Sequence, residues 1–241
     1  MNKILLLSLG IAVFGYAQDH TKIGLGVATM QQPYKGTKGK VLAIPYLDAK
    51  YGGFYMRGIE GGYEQTLADE LTMGAFVKGR LDGYKSSDSD DLSGMQERKY
   101  AIEGGVRASI GGYKTGKVSA FALNDISGTH NGYELGLEYS KMFIHEKSTL
   151  IPYLSLKKES NKLTDYYYGV RSSEATVNRA KYSPKGALNT EIGVRYFYAM
   201  SYNIDLVGIA SYTKLDEEIH KSPIVKDKER LKAFVACGYK F

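Results

Sequence analysis

The sequence predicts an all-β protein, a closed antiparallel transmembrane β-barrel of about 12 strands. Three observations carry that expectation. The last eleven residues alternate: Leu231, Ala233, Val235, Cys237, Tyr239 and Phe241 form an apolar row, with Lys232, Phe234, Ala236, Gly238 and Lys240 between them. A period of two is a strand, and a terminal aromatic on its apolar face suits a barrel-closing strand. The chain opens with an export signal, and the segments between repeat the same alternation with no helical period.

The signal occupies residues 1–17, with one cation at Lys3, an apolar run from Ile4 to Phe14, and small residues at Gly15 and Ala17. Its apolar run is shorter than the roughly 20 residues a spanning helix needs, so residues 18–241 are expected to form one exported domain. Charges or glycines interrupt every later apolar stretch, which excludes a helical membrane protein. The single cysteine, Cys237, allows no intrachain disulfide, so stability must come from burial and sheet closure.

Composition agrees with a barrel. There are 28 Gly, 21 Tyr and no Trp, and the mean hydropathy of −0.30 is what alternation of lipid-facing and lumen-facing residues produces. The formal charge of +6 suits acidic lipid headgroups or sugars in an exported chain and gives no reason to expect nucleic acid.

In chain order the expected strands are 22–30, 40–50, 54–67, 71–84, 100–110, 117–126, 133–143, 150–158, 163–171, 188–200, 204–215 and 231–241. In the first, Ile23, Leu25 and Val27 oppose Gly24, Gly26 and Ala28, so small residues face a crowded lumen. A tight turn at Gly52-Gly53 joins the second strand to the third. The segment 204–215 alternates poorly. Gly-Tyr pairs at Tyr63, Tyr84, Tyr113, Tyr133 and Tyr239 read as interfacial girdle chemistry.

Alternation aims Lys78, Arg80, Glu103, Arg107, Glu134, Glu138, Glu191, Arg195 and Lys232 into the lumen. The first expectation is an ion-pair network filling a narrow interior, because buried charges need partners. The second is a charged constriction selecting small polar solutes. With a periplasmic N-terminus, this strand count puts loops 172–186 and 216–229 outside the cell and short turns near Gly52, Ser160 and Asn203 in the periplasm. It also puts the long, acidic segment 85–98 in the periplasm, so that either a strand is missed or this loop has a purpose there.

His130-Asn131-Gly132 lacks a partnered serine nucleophile, and the other histidines, His20, His145 and His220, stand apart. Asp88, Asp90 and Asp91 lack the ordered spacing of a calcium loop. The expectation is a non-enzymatic protein without cofactor or metal.

Three groups of residues resemble the MipA/OmpV family of outer-membrane proteins. One is Asp165, Tyr166, Tyr167, Tyr168, Gly169 and Val170, followed by Glu174-Ala175 and Tyr182-Ser183-Pro184. Another is Ser222, Pro223, Ile224 and Val225. The third is dispersed over Tyr34, Gly36, Ile44-Pro45, Asp91-Leu92, Gly94, and Asp125-Ile126-Ser127-Gly128. Lys221 departs from the acid that such proteins carry before this Ser-Pro. The resemblance implies a monomeric barrel in outer-membrane lipid, inserted by the barrel-assembly machinery through its C-terminal strand. From the family's name-giving member it implies a scaffold linking a murein lytic transglycosylase to a penicillin-binding protein. Other members suggest a small porin, or an adhesin using extracellular loops. The tyrosines at 166–168 are read as an interfacial girdle at a strand end, or as rings that stack on glycan or protein.

Overall fold

The computed structural model describes residues 19–68 and 70–241; the expected signal peptide, 1–17, lies outside them. The strands are β1 (His20–Met30), β2 (Lys40–Tyr51), β3 (Phe54–Arg57), β4 (Glu60–Ala68), β5 (Leu71–Arg80), β6 (Ala101–Gly112), β7 (Gly116–Asp125), β8 (Tyr133–Ser140), β9 (Phe143–His145), β10 (Ser148–Glu159), β11 (Ala187–Ala199), β12 (Ile204–Lys214) and β13 (Glu229–Lys240). Every pairing is antiparallel, and β1 pairs with β13 while β10 pairs with β11, so the sheet closes on itself. The short β9 continues β8 along the same edge of β10, giving a closed barrel of 12 strands. Among the described residues no helix is long and apolar enough to cross a membrane; the strands do the crossing.

Alternation decides what faces where. On β13, Leu231 (55% exposed), Val235, Tyr239 and Phe241 face outward, while Phe234 and Ala236 are buried inside. On β12 the alternation is clear after all, with Val207, Ile209, Ser211 and Thr213 buried and Ala210 and Tyr212 outward. Tyr63, Tyr113, Tyr133 and Tyr239 stand outward, but Tyr84 is buried and is no girdle residue.

Two sequence expectations are corrected, and they offset each other in the strand count. Residues 54–67 are not one strand: Gly58, at φ 59°, breaks them into the short hairpin β3–β4. Residues 163–171 are not a strand either. Asn161–Tyr168 is a helix, α1, whose N-cap Ser160 side chain accepts a hydrogen bond from the Leu163 backbone. Splitting one segment and removing another leaves twelve but moves the loops. Segment 85–98 now lies at the same end as 172–186 and 216–229, and so does the turn at Ser160. The opposite end carries short turns and both strand termini, which makes it the periplasmic rim.

The long loops do not splay into solvent. They close over the barrel mouth as a packed cap whose core holds Tyr34, Tyr84, Leu92, Met95, Leu163, Tyr167, Tyr168, Val170, Leu215, Ile219, Ile224 and Val225.

Candidate functional site

Strand register places the charged side chains of the lumen in facing rows. Lys78 lies opposite Glu60 on one side and Glu103 on the other, so neighbouring strands present opposite charges at one level. Arg80 is the hub. Its Nε donates to Glu103 at 2.7 Å, one terminal nitrogen to Glu134 at 2.6 Å and the other to Asp82 at 3.0 Å. Asp82 also accepts from Arg230 at 2.6 Å, which holds its carboxyl far below the usual carboxylate range against the opposing effect of burial. Lys78 stands 3.8 Å from Glu134, and His130 Nε2 lies 3.3 Å from Glu103.

Lower in the barrel two arginine forks repeat one construction. Arg107 grips Glu60 at 3.0 and 3.1 Å with its guanidinium 4.2 Å from the Phe76 ring centroid. Arg195 grips Glu138 at 3.1 and 3.0 Å with its guanidinium 4.0 Å from that of Tyr153. Glu191 accepts from Tyr153 and Thr213 and pairs with Lys157 at 3.0 Å. Planar forks over rings satisfy donors and fill volume together. A cavity of about 120 Å³ remains between these groups, lined by six carboxylates and seven cations, Lys232 among them.

Alternation in residues 71–84 also turned Asp82 inward with Lys78 and Arg80, but sequence reasoning missed Glu60, Lys157, Glu159 and Arg230 as lumen residues. Lys157 and Glu159 were readable, since they follow Tyr153 and Ser155 in steps of two. Glu60 was hidden by the unseen break at Gly58.

The motif residues assemble in the cap. Tyr167 and Tyr168 are buried on α1, so neither the girdle nor an exposed stacking surface describes them. Ser222 Oγ donates to the Tyr168 carbonyl at 2.6 Å, and the Tyr34 and Tyr168 rings stack with centroids 5.9 Å apart. Tyr34 bridges Val225, and Gly169 N–H donates to the Asp165 carbonyl at 2.8 Å to end the helix. Val170 pairs with Tyr182, whose hydroxyl reaches the Glu218 carbonyl at 2.8 Å. Pro223 sits half-buried at the turn that follows Ser222. Asp125 gathers the β7–β8 loop by accepting from the backbones of Ser127, His130 and Asn131.

One buried ion pair locks the cap. The Arg98 fork meets Glu174 at 2.9 and 2.8 Å, and Arg98 Nε donates to the Tyr166 carbonyl at 2.6 Å. Burial alone would raise the Glu174 carboxyl, but the Arg98 hydrogen bonds and the backbone N–H groups of Arg171 and Gln96 outweigh it and bring it down to about 2. Arg179 ties the segment 91–93 to the same loop through the carbonyls of Asp91, Ser93 and Glu174.

Closure, an outward apolar band and one end of long loops define the class: an outer-membrane β-barrel. The family model described as MltA-interacting protein MipA matches residues 23–241. The chain belongs to this MipA/OmpV family. It is 26% identical over 186 residues to outer membrane protein Omp26La of Vibrio anguillarum, covering 77% of this chain and 72% of that one. It is 24% identical over 234 residues to the MltA-interacting protein of Escherichia coli, covering 93% and 94%. Among solved structures, the NanC porin overlaps 91% of this chain and 100% of its own at 12% identity and a TM-score of 0.48, too loose a match to carry an argument.

Proposed function

We propose that this protein is a non-conducting, non-enzymatic outer-membrane scaffold that works through contacts at its periplasmic rim. The carrying observation is an interior filled by paired charges under a packed cap. The relative named MltA-interacting protein, matched over 93% of this chain, supports a murein lytic transglycosylase as the partner; a penicillin-binding protein reached through it is what the family resemblance alone implies. The reading moves the contact surface. Segment 85–98 belongs to the cap, so the partner would meet the short turns instead, where Tyr113, Lys114, Lys147 and Tyr202 are exposed. The closing strand, β13, would be the element handed to the barrel-assembly machinery.

Two measurements test this. Refolded protein in planar bilayers should give no steady conductance; a conductance whose ion selectivity shifts in Glu134→Ala/Glu138→Ala would support the second reading, a channel for small polar solutes. That second reading rests on the charge-lined cavity. Recovery of the transglycosylase in a pull-down should fall with Tyr202→Ala/Lys147→Glu and stay unchanged when the tip of segment 85–98 is shortened; the reverse pattern would end the rim proposal.

A further inference from the structure

The barrel wall has a window. The tip of the β3–β4 hairpin reaches only the level of Leu47 on β2, where Gly58 N–H donates to the Leu47 carbonyl at 2.8 Å. On the other side Gly79 N–H donates to the Ile59 carbonyl at 3.2 Å. Strand β2 continues for seven more residues, 40–46, which is roughly 23 Å of strand at about 3.3 Å per residue. Its edge toward β1 stays paired throughout, ending with Lys40 opposite Met30. Among the described residues no strand pairs with its other edge.

The orientation of that edge follows from the Leu47 bond. Backbone groups alternate sides along a strand, so those of Val41, Ala43 and Pro45 point into the gap. Proline there removes one donor from an open edge. Above the gap the β1–β2 and β5–β6 loops meet as a lintel, where Ser89 Oγ donates to the Lys35 carbonyl at 2.8 Å and Lys40 lies 3.7 Å from Asp88. Lipid-facing open edges are not tolerated at membrane depth unless something covers them.

Behind the window the lumen is apolar. Leu42, Ile44 and Tyr46 of β2 pack with Leu81, Val207, Ile209 and Phe234. The cavity reaches the frame, since Glu60 at the sill and Leu81 at the jamb both line it. Lys232 lines it too, one cross-strand row from Met30 and two from Lys40. Six of the seven cavity cations have a carboxylate within ion-pair distance: Lys78, Arg80, Arg107, Lys157, Arg195 and Arg230. Among the described residues Lys232 makes no ion pair, and Asp82 and Glu191 are the cavity carboxylates that act on it from farther away. A cation held in such a place favours an incoming anion.

We propose that the window is the lipid-side entrance to a binding site for a single-chain amphiphile with an anionic head, in its simplest form a medium-chain fatty carboxylate. The head meets Lys232, and the tail lies through the window against Leu42, Ile44 and Leu81. This site binds and does not conduct, and it stands independently of the rim contacts.

The test uses refolded full-length mature protein and a dodecanoate carrying a fluorophore at its far end. Saturable one-to-one binding is expected, weakened at least ten-fold by Lys232→Met and equally weakened when the probe is a methyl ester. The entrance is tested in a Cys237→Ala background: a bulky maleimide on Ile59→Cys, at the sill, should slow binding ten-fold, whereas the same label on Thr129→Cys, in the cap, should not. Heat-dependent gel mobility checks that each variant is a folded barrel. Absence of saturable binding, or binding indifferent to Lys232→Met, overturns the site; binding slowed only by the Thr129→Cys label overturns the window as its entrance.

Discussion

The two walls of the lumen are filled by different means. From β5 round to β11 the interior is polar, with arginine forks on glutamates, and each charge is tolerable only because its partner is present. From β12 through β13 and β1 to β2 the middle of the wall is apolar, between Arg230, Lys232 and Thr213 above and Asp48 below, with bulky rings set against glycines. A Cβ on Gly26 would meet the Phe234 ring at 2.6 Å, and one on Gly238 would meet the Tyr46 ring at 2.8 Å. The first wall is therefore vulnerable to losing an atom, the second to gaining one.

The largest effect is expected at the hub. Arg80→Met takes from Glu103 and Glu134 their shortest partner and leaves them only the more distant Lys78 and His130, and breaking a buried pair from one side costs about 3–5 kcal/mol. Urea unfolding in detergent should show that loss, and adding Glu103→Gln and Glu134→Gln should recover most of it. If the single and triple variants are equally unstable, the polar wall is held by packing and the contrast fails.

On the apolar wall, Gly26→Leu should cost about 1–3 kcal/mol through overpacking. Phe234→Leu in the same chain should return part of that, because the ring is what the new side chain strikes. The same unfolding assay reads both.

This contrast also separates what the sequence made legible from what it hid. The period of two was enough to turn Leu231, Val235 and Tyr239 outward and Phe234 inward, because a strand has two faces and only one meets lipid. The same rule placed Arg80, Glu103 and Glu134 on one side, but which carboxylate each cation reaches depends on register between strands far apart in sequence. Local breaks were harder. Gly58 interrupts residues 54–67 without disturbing their alternation, and Tyr166, Tyr167 and Tyr168 favour strands by propensity yet are held helical by the Ser160 cap and burial against Tyr34. The cap as a whole was invisible to periodicity, since its core is drawn from four loops that have none.

The cap offers a third kind of filling, one fork inside an apolar shell, and pH separates it from the lumen. The Glu174 carboxyl titrates at about 2 in the folded protein against an ordinary value of 4.5. Its contribution is therefore complete above pH 4.5 and is lost as pH falls toward 2. Limited proteolysis of the loops with an acid-active protease should accelerate over that range. Glu174→Gln should cleave faster at neutral pH and show a flatter acid response; an unchanged profile would mean that Tyr packing alone holds the cap.

The smallest effect marks where the cap stops. Val177 is 103% exposed at the tip of a loop whose neighbours Thr176 and Arg179 pair backbone to backbone. Nothing packs on its side chain, so Val177→Ser removes no contact and should change stability by less than about 0.5 kcal/mol. The turn itself needs only its backbone bonds and the Arg179 guanidinium beneath it. If Val177→Ser instead weakens recovery of a bound partner while leaving unfolding untouched, the exposed tip is a contact surface, and the cap carries a function of its own beyond sealing the lumen.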